Sequence, residues 1–315
     1  PWPRCRSRAR GAGRGGGRPP RRRDREGGVT WEAAAAAADR AARAAGVEIR
    51  EVEELADLRA VHALCRTIWP SGSADSPVSL EQLRAMTHAG NYAAAAYLDG
   101  ELVGASIGFF AAPPGRVLHS HVTGVVAHAR SRSVGFALKL HQRAWALARG
   151  LREVTWTFDP LVRRNAYLNL VKLAARPREY LIDFYGDLTD AVNAGQGSDR
   201  LLVAWDLTAP EVVAACEGRP SEADTSAVPP ALAVSPDGRP SPARATAPTV
   251  RVAVPDDVEE LRRRDPDLAR AWRTAVRDVL HGLMSGGARV VGFSRTGGYV
   301  VEQWSPRKLA RQEAT

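Results

Sequence analysis

The sequence is poor in cysteine, in long apolar runs and, outside one segment, in net charge. Its three cysteines are Cys5, Cys65 and Cys216. None belongs to a paired motif, which excludes a disulfide framework and points to a reducing compartment. No apolar stretch approaches the roughly 18 residues of a membrane span, and no hydrophobic signal region follows the N-terminal arginines. These absences lead us to expect a cytoplasmic protein with no membrane partner and no metal.

The net charge of +9 suggests a nucleic-acid partner only until the charge is located. Residues 1–28 hold ten arginines against Asp24 and Glu26, a net of +8, which leaves the rest of the chain at +1. Nucleic acid is therefore not an expected partner. The same segment has almost no aliphatic side chains and cannot bury enough surface to offset the entropy of ordering it, so a disordered basic tail is expected there. A second reading leaves it out of the natural product, because codons for Arg25-Glu26 can spell a ribosome-binding site ahead of a start at Val29.

What is present is a chain 44% hydrophobic, enough for one large domain or two small ones. Residues 29–46 read as an alanine-rich helix closed by Gly46, an adjunct to the core. Val47–Val52 predicts a strand. In the helix that follows, Leu58, Val61, Cys65, Ile68 and Trp69 share one face. After a break at Pro70, Ser79 and Gln82 have the spacing of a capping box. Asp99-Gly100 joins two apolar runs at the spacing of a type I′ hairpin, whose central residues both need positive φ.

A third strand, Arg116–Val126, leads through a loop and a helix to the strand EVTWTF, and the crossover helix makes the two strands parallel. The order is β-α-α-β-β-β-α-β, a mixed sheet flanked by helices and an α/β (α+β) fold class. From Asn165 a helix runs to about Ala175, followed by irregular structure and a final strand at Leu201–Leu207. Residues 217–249 carry seven prolines and read as a linker, with room for a small hairpin at ALAVSPDGRP. Residues 250–305 form a C-terminal α/β unit whose long helix aligns Leu268, Ala271, Trp272, Ala275, Val279, Leu280 and Leu283. It is too short to stand alone and is expected to pack on the domain at 47–216; residues 306–315 are a tail.

The chemistry centres on VVAHARSRSVGFALKLHQRAW, Val125–Trp145. A strand runs into Arg130, Ser131, Arg132 and Ser133, and a helix starts at Val134-Gly135. A helix N-terminus offers unpaired N–H groups and partial positive charge, and so favours phosphate. Alone, the loop reads equally as a solvated cap.

In context it resembles the pyrophosphate loop of the GNAT superfamily of N-acetyltransferases: an arginine or glutamine, two variable residues, a glycine, one variable residue, then a glycine or alanine. Arg130 and Gly135 match, and Ser133 stands where the first glycine is expected. The element order agrees, and RRNAYLNLVKLAARP is similar to the segment after the superfamily's fifth strand, with Asn165, Lys172 and Leu173 matching and Ala174 replacing a glycine. The resemblance covers about Val47–Leu207. It implies a GNAT-like fold and direct acetyl transfer from acetyl-CoA to an amine of a small molecule or protein. Cofactor contacts are then expected from Val125, Val126, Arg130, Ser131, Arg132, Ser133, Val134, Gly135, Phe136 and Asn165, with the backbone at Val125 and Val126 donating to the thioester oxygen. A catalytically silent module that binds acyl-CoA or a partner protein is the alternative.

His119, His121 and Thr123 are expected to alternate onto one face of their strand. Imidazole suits the removal of an amine proton, and His121 is the candidate base, with bonding inside the sheet as its alternative. The position of the superfamily's acidic tyrosine corresponds to Leu170. Tyr167 and Tyr185 are the candidate acids, with core packing as the alternative for each, and Tyr185 is carried forward.

Overall fold

The structure is a computed structural model that describes residues 29–69, 76–186, 196–244, 246–295 and 297–303. The basic tail at 1–28, the end of the chain after 303 and the segments 70–75 and 187–195 lie outside the described residues.

Helix α1, Trp31–Ala45, is capped by the Thr30 hydroxyl, which accepts from Ala33 N–H at 3.3 Å, and ends at Gly46 with φ +71°. Strand β1, Glu48–Glu51, precedes α2, Leu55–Ile68, and α3, Leu80–His88. The predicted capping box of Ser79 and Gln82 is present. Strands β2, Tyr92–Leu98, and β3, Glu101–Ala111, meet at Asp99 and Gly100 with φ +50° and +85°, as the turn type requires. Then follow β4, Val117–Val125, a 3-10 turn at Ala127–Arg132, α4, Val134–Ala148, and β5, Glu153–Phe158. Helix α5, Arg163–Tyr167, runs into a π turn at Leu168–Lys172, before β6, Arg176–Leu181, β7, Arg200–Asp206, and α6, Pro210–Cys216.

These strands form one mixed sheet ordered β1-β2-β3-β4-β5-β7-β6, antiparallel except for β4–β5. Strand β6, expected as irregular structure, is an edge strand with a register shift beside Pro177, where a proline does least harm. On the front face, α2 and α3 cover Ala93, Ala95, Ala105, Ile107 and Val122. On the back, α1 and α4 cover Tyr92, Ala94 and Leu118. The expectation that α1 is an adjunct is corrected: Ala34, Ala35, Ala37 and Ala38 are buried in the core. Their small side chains let the two helix backbones approach closely, a packing role that hydrophobic bulk does not reveal.

The stretch expected as a linker contributes β8, Pro230–Val234, and β9, Pro240–Pro242. They join β10, Thr249–Val252, β11, Arg289–Ser294, and β12, Gly298–Glu302, in a second sheet ordered β11-β12-β10-β8-β9. Helices α7, Val258–Arg264, α8, Pro266–Val276, and α9, Gly282–Ser285, with a π turn at Arg277–His281 between the last two, complete this unit. Pro240 and Pro242 sit on the edge strand β9, Pro236 in the turn before it and Pro230 at the first position of β8, so the composition that reads as a loose connection is compatible with a hairpin. The core is continuous across both units, with Leu170, Val171 and Leu173 sharing a cluster with Val250, Leu280 and Phe293. Among the described residues, no helix is long and apolar enough to cross a membrane.

A buried ion cluster joins the units. Asp159, one residue past β5, accepts from Arg273 at 2.8 and 2.7 Å and from Arg262 of α7 at 2.6 Å. Burial by itself would raise this carboxyl, but the charge and hydrogen bonds of Arg273, with Arg262 behind them, hold it well below the usual carboxylate range. Asp199 is likewise bound by Arg277 and the Tyr180 hydroxyl. Arg273 and Arg277 are thus structural, as is Trp272, whose indole N–H donates to Gly238 O.

Asp159→Asn should cost about 3–5 kcal/mol, because it leaves two buried guanidinium groups without their anion. The depressed carboxyl stabilises fully above the ordinary aspartate range, and its contribution is lost progressively as pH falls from that range toward the lower value of the folded state. Urea denaturation at neutral and acidic pH measures both effects, and the difference between wild type and variant should shrink in acid.

Candidate functional site

Strands β4 and β5 pair through only three positions, Val117 with Glu153, Leu118 with Val154 and His119 with Thr155, although β4 continues to Val125 and β5 to Phe158. Beyond His119 the two part. The parting coincides with a bulge on the other edge of β4, where Ile107 faces Val122 and Gly108 faces Ser120, leaving His121 as an extra residue. An extra residue bends a strand and increases its twist.

Past the fork, Val126 N–H donates to Val103 O at 2.9 Å. Backbone direction alternates along a strand, so the amides of Val125 and Thr123 turn away from β3 to the open side. Consistently, Val125 O accepts from Arg130 Nε at 3.3 Å. The expected donor pair is therefore corrected: Val126 spends its N–H inside the sheet, Val125 keeps its own on the open side, and Thr123 joins it.

At the mouth of the fork, Ser133 is the N-cap of α4 with φ +63° and no side-chain capping bond. This left-handed backbone favours glycine, and a β-carbon there costs about 1 kcal/mol. Ala174 has φ +53°, so both positions where the glycine pattern is broken hold a glycine-type backbone. The first bond within α4 runs from Ala137 N–H to Ser133 O at 3.1 Å. The N–H groups of Val134, Gly135 and Phe136 therefore lack intrahelical partners and carry the positive end of the helix. Arg130, Ser131, Arg132 and Ser133 are exposed around them, while Ala129 and Val134 are buried and anchor the loop. Phe136 packs on the core. Asn165 is half-buried in the first turn of α5, directly after two arginines that pair with the second unit, Arg163 with Asp256 and Arg164 with Glu259.

On the front face, His119 and His121 both stack near Phe109, with ring centroids 5.1 and 5.8 Å away. Thr123 does not join them. The bulge turns it to the back, where its hydroxyl meets Ser106 at 2.8 Å, and Ser106 in turn accepts from Gln142 of α4. His119 Nδ1 lies 3.1 Å from Thr155 Oγ1, and burial, with His121 and Lys139 adding to it, pushes the ring down to about 4. It is a neutral and weak base.

His121 is half-exposed, with Nε2 3.1 Å from Pro77 O. A carbonyl only accepts, which assigns the proton to Nε2 and leaves the lone pair on Nδ1. Across the fork the Tyr185 hydroxyl lies 3.2 Å from Thr157 Oγ1, beneath Arg200. Thr157 is on the face of Thr155, so His121 and Tyr185 flank the fork on one side of the sheet. Leu170 is buried in the core.

The back of the fork holds a residue that the sequence reading missed. Lys139 of α4 is buried, and its ammonium donates to Ser120 Oγ at 2.7 Å and Gln142 Oε1 at 3.4 Å and lies 3.8 Å from the centre of the Trp156 ring. Burial pushes it down to about 7. Its sequence signal is a lone lysine on the inward face of an amphipathic helix. A concavity lined by Glu222, Asp224, Ser226 and Arg251 lies on the second unit and shares no residue with the fork.

No protein-family model matches the chain, and no curated protein matches it. Solved structures that it is similar to include acetyltransferases. One is an N-acetyltransferase of Staphylococcus aureus, 16% identical with a TM-score of 0.43 over 51% of this chain and 99% of that one. Another is an acetyltransferase of the GNAT family from Streptococcus pneumoniae, at 16% and 0.41 over 50% and 98%. A third is an aminoglycoside 6′-N-acetyltransferase complexed with coenzyme A, at 18% and 0.40 over 51% and 98%.

The burial of Lys139 sets a pH dependence of stability. The unfolded lysine holds its proton to about pH 10 and the folded one only to about 7, so stability should rise with pH between these values. Lys139→Met should flatten that rise and add a few kcal/mol near pH 6, read by chemical denaturation across the range. Ser133→Gly should add about 1 kcal/mol by relieving the left-handed φ.

Proposed function

We propose that the chain is an acyl-CoA-dependent N-acetyltransferase that moves an acetyl group from acetyl-CoA directly to an amine of a small molecule or protein. The observation that carries this reading is the parted parallel pair β4–β5, with an anion-ready helix start at its mouth. The residues present fit such a donor. The amides of Val134, Gly135 and Phe136, with Arg130 and Arg132, suit a pyrophosphate. The open-side amides of Val125 and Thr123 suit a carbonyl oxygen on which negative charge develops. Bound acetyl-CoA supplies the activated acyl group.

The chain's residues do the rest. Val125 and Thr123 hold and polarise the carbonyl, and His121 Nδ1 takes the proton that the attacking amine sheds, directly or through water. The Tyr185 hydroxyl, on the same face, is the candidate acid. Cys65 and Cys216 are free, buried thiols, in keeping with a cytoplasmic enzyme. One observation favours the second reading, a silent acyl-CoA-binding module: Leu170 is buried apolar packing at the position where the resemblance implies an acidic tyrosine.

Titration with acetyl-CoA should raise the thermal midpoint; no shift at millimolar concentration overturns the proposal. Ser133→Gly should tighten binding and Ser133→Trp abolish it. Release of free thiol with a panel of amines then separates the enzyme from the silent module.

A further inference from the structure

The chain has three lysines, Lys139, Lys172 and Lys308, among 44 lysines and arginines. Lys139 is buried at the crotch of the fork. Its ammonium donates to Ser120, the first β4 residue past the last paired position, and faces Trp156, the first β5 residue past it. The groups around it are neutral. From β3 come Ser106 and Gly108, through their contacts with Gln142; from β5 Trp156; from α1 only alanines are buried. His119 of β4 is the ionisable group that feels its charge, and no ion pair to a carboxylate is recorded for it among the described residues. A buried amine without an anion costs stability that a methionine would not. An arginine there could not release a proton.

We propose that Lys139 supplies, through the Ser120 hydroxyl, the proton taken up by the thiolate that leaves when the amide bond forms. This rests on the acyltransferase reading and puts the acid at the back of the fork, in place of the Tyr185 hydroxyl on the front. The amine nitrogen bonds to the acyl carbon, and the carbon–sulfur bond breaks with its electron pair going to sulfur. The proton shed by the amine goes to His121 or water. Ser120 gives its hydroxyl proton to sulfur while an N–H proton of Lys139 moves to Ser120 Oγ. Lys139 is left as a neutral amine, the form that burial favours, and regains its proton from solvent.

The test reads the thiol of bound coenzyme A, followed by its ultraviolet thiolate absorbance against pH without turnover. In the unmodified protein kcat should fall as pH rises past about 7, where Lys139 gives up its proton. Lys139→Met should slow thiol release about 100-fold or more and lose that alkaline limb. Lys139→Arg, whose charge persists where the thiol ionises, should raise the bound thiolate fraction about tenfold over the unmodified protein and still lose turnover. Ser120→Ala, with less effect on packing, should lose turnover as well.

Unchanged ionisation and an unchanged pH profile in these variants overturn the proposal while leaving the acyltransferase reading intact. No binding of coenzyme A to the unmodified protein overturns both. An acetyl adduct on Lys139 by mass spectrometry would make it a nucleophile and overturn its role as proton donor.

Discussion

Opposite Ile107 and Gly108, β4 has three residues, Val122, His121 and Ser120, where two would stay in register, and the geometry of the candidate site follows from accommodating the third. The bulge bends β4 just where its pairing with β5 ends. It brings His121 beside His119 on the front, turns the Thr123 side chain to the back and leaves the open-side amides of Thr123 and Val125 without a strand to bond. A regular β4 would close the sheet and leave no fork.

A fork between strands keeps its shape only if each arm is held. β4 is held by its ladder to β3, and α4 locks onto it through Lys139–Ser120 and Gln142–Ser106. β5 is held by the antiparallel β7 and, at its free end, by Asp159 between Arg262 and Arg273 of the second unit. Tyr299 adds a bond from its hydroxyl to Pro160 O. The second unit therefore braces the arm of the fork that carries no bulge. Low dielectric makes these ionic and polar contacts strong when complete and costly when broken.

Much of this was legible from local chemistry. Thr30, Ser79 and Asp99-Gly100 do what their side chains or backbone freedom allow wherever they occur. Ser133 and Ala174 are instructive, because a pattern of missing glycines marked two places that both adopt left-handed backbone. Less legible were features that depend on a distant partner. Strict alternation placed Thr123 with the histidines, and one bulge undid it. Strand β6 hid behind Pro177, since an edge strand tolerates residues that a central strand does not, and although ALAVSPDGRP marked the hairpin of β8 and β9, its pairing with β10 was not readable from a proline-rich composition. The alanines of α1 showed helix propensity but not what they would cover.

By itself, then, the sequence determined the order of elements from β1 to β5, the caps and turns, the location of the basic charge, and the loop Arg130–Gly135 at a helix start. Each of these depends on neighbours a few residues away. Tertiary structure alone decided where β4 and β5 part, which amides face the gap, that Lys139 lies buried against Ser120 and Trp156, and that Asp159 is clasped by arginines a hundred residues later in the chain. Register, burial and ion pairing of that kind arise between segments far apart in sequence, and no local pattern encodes them.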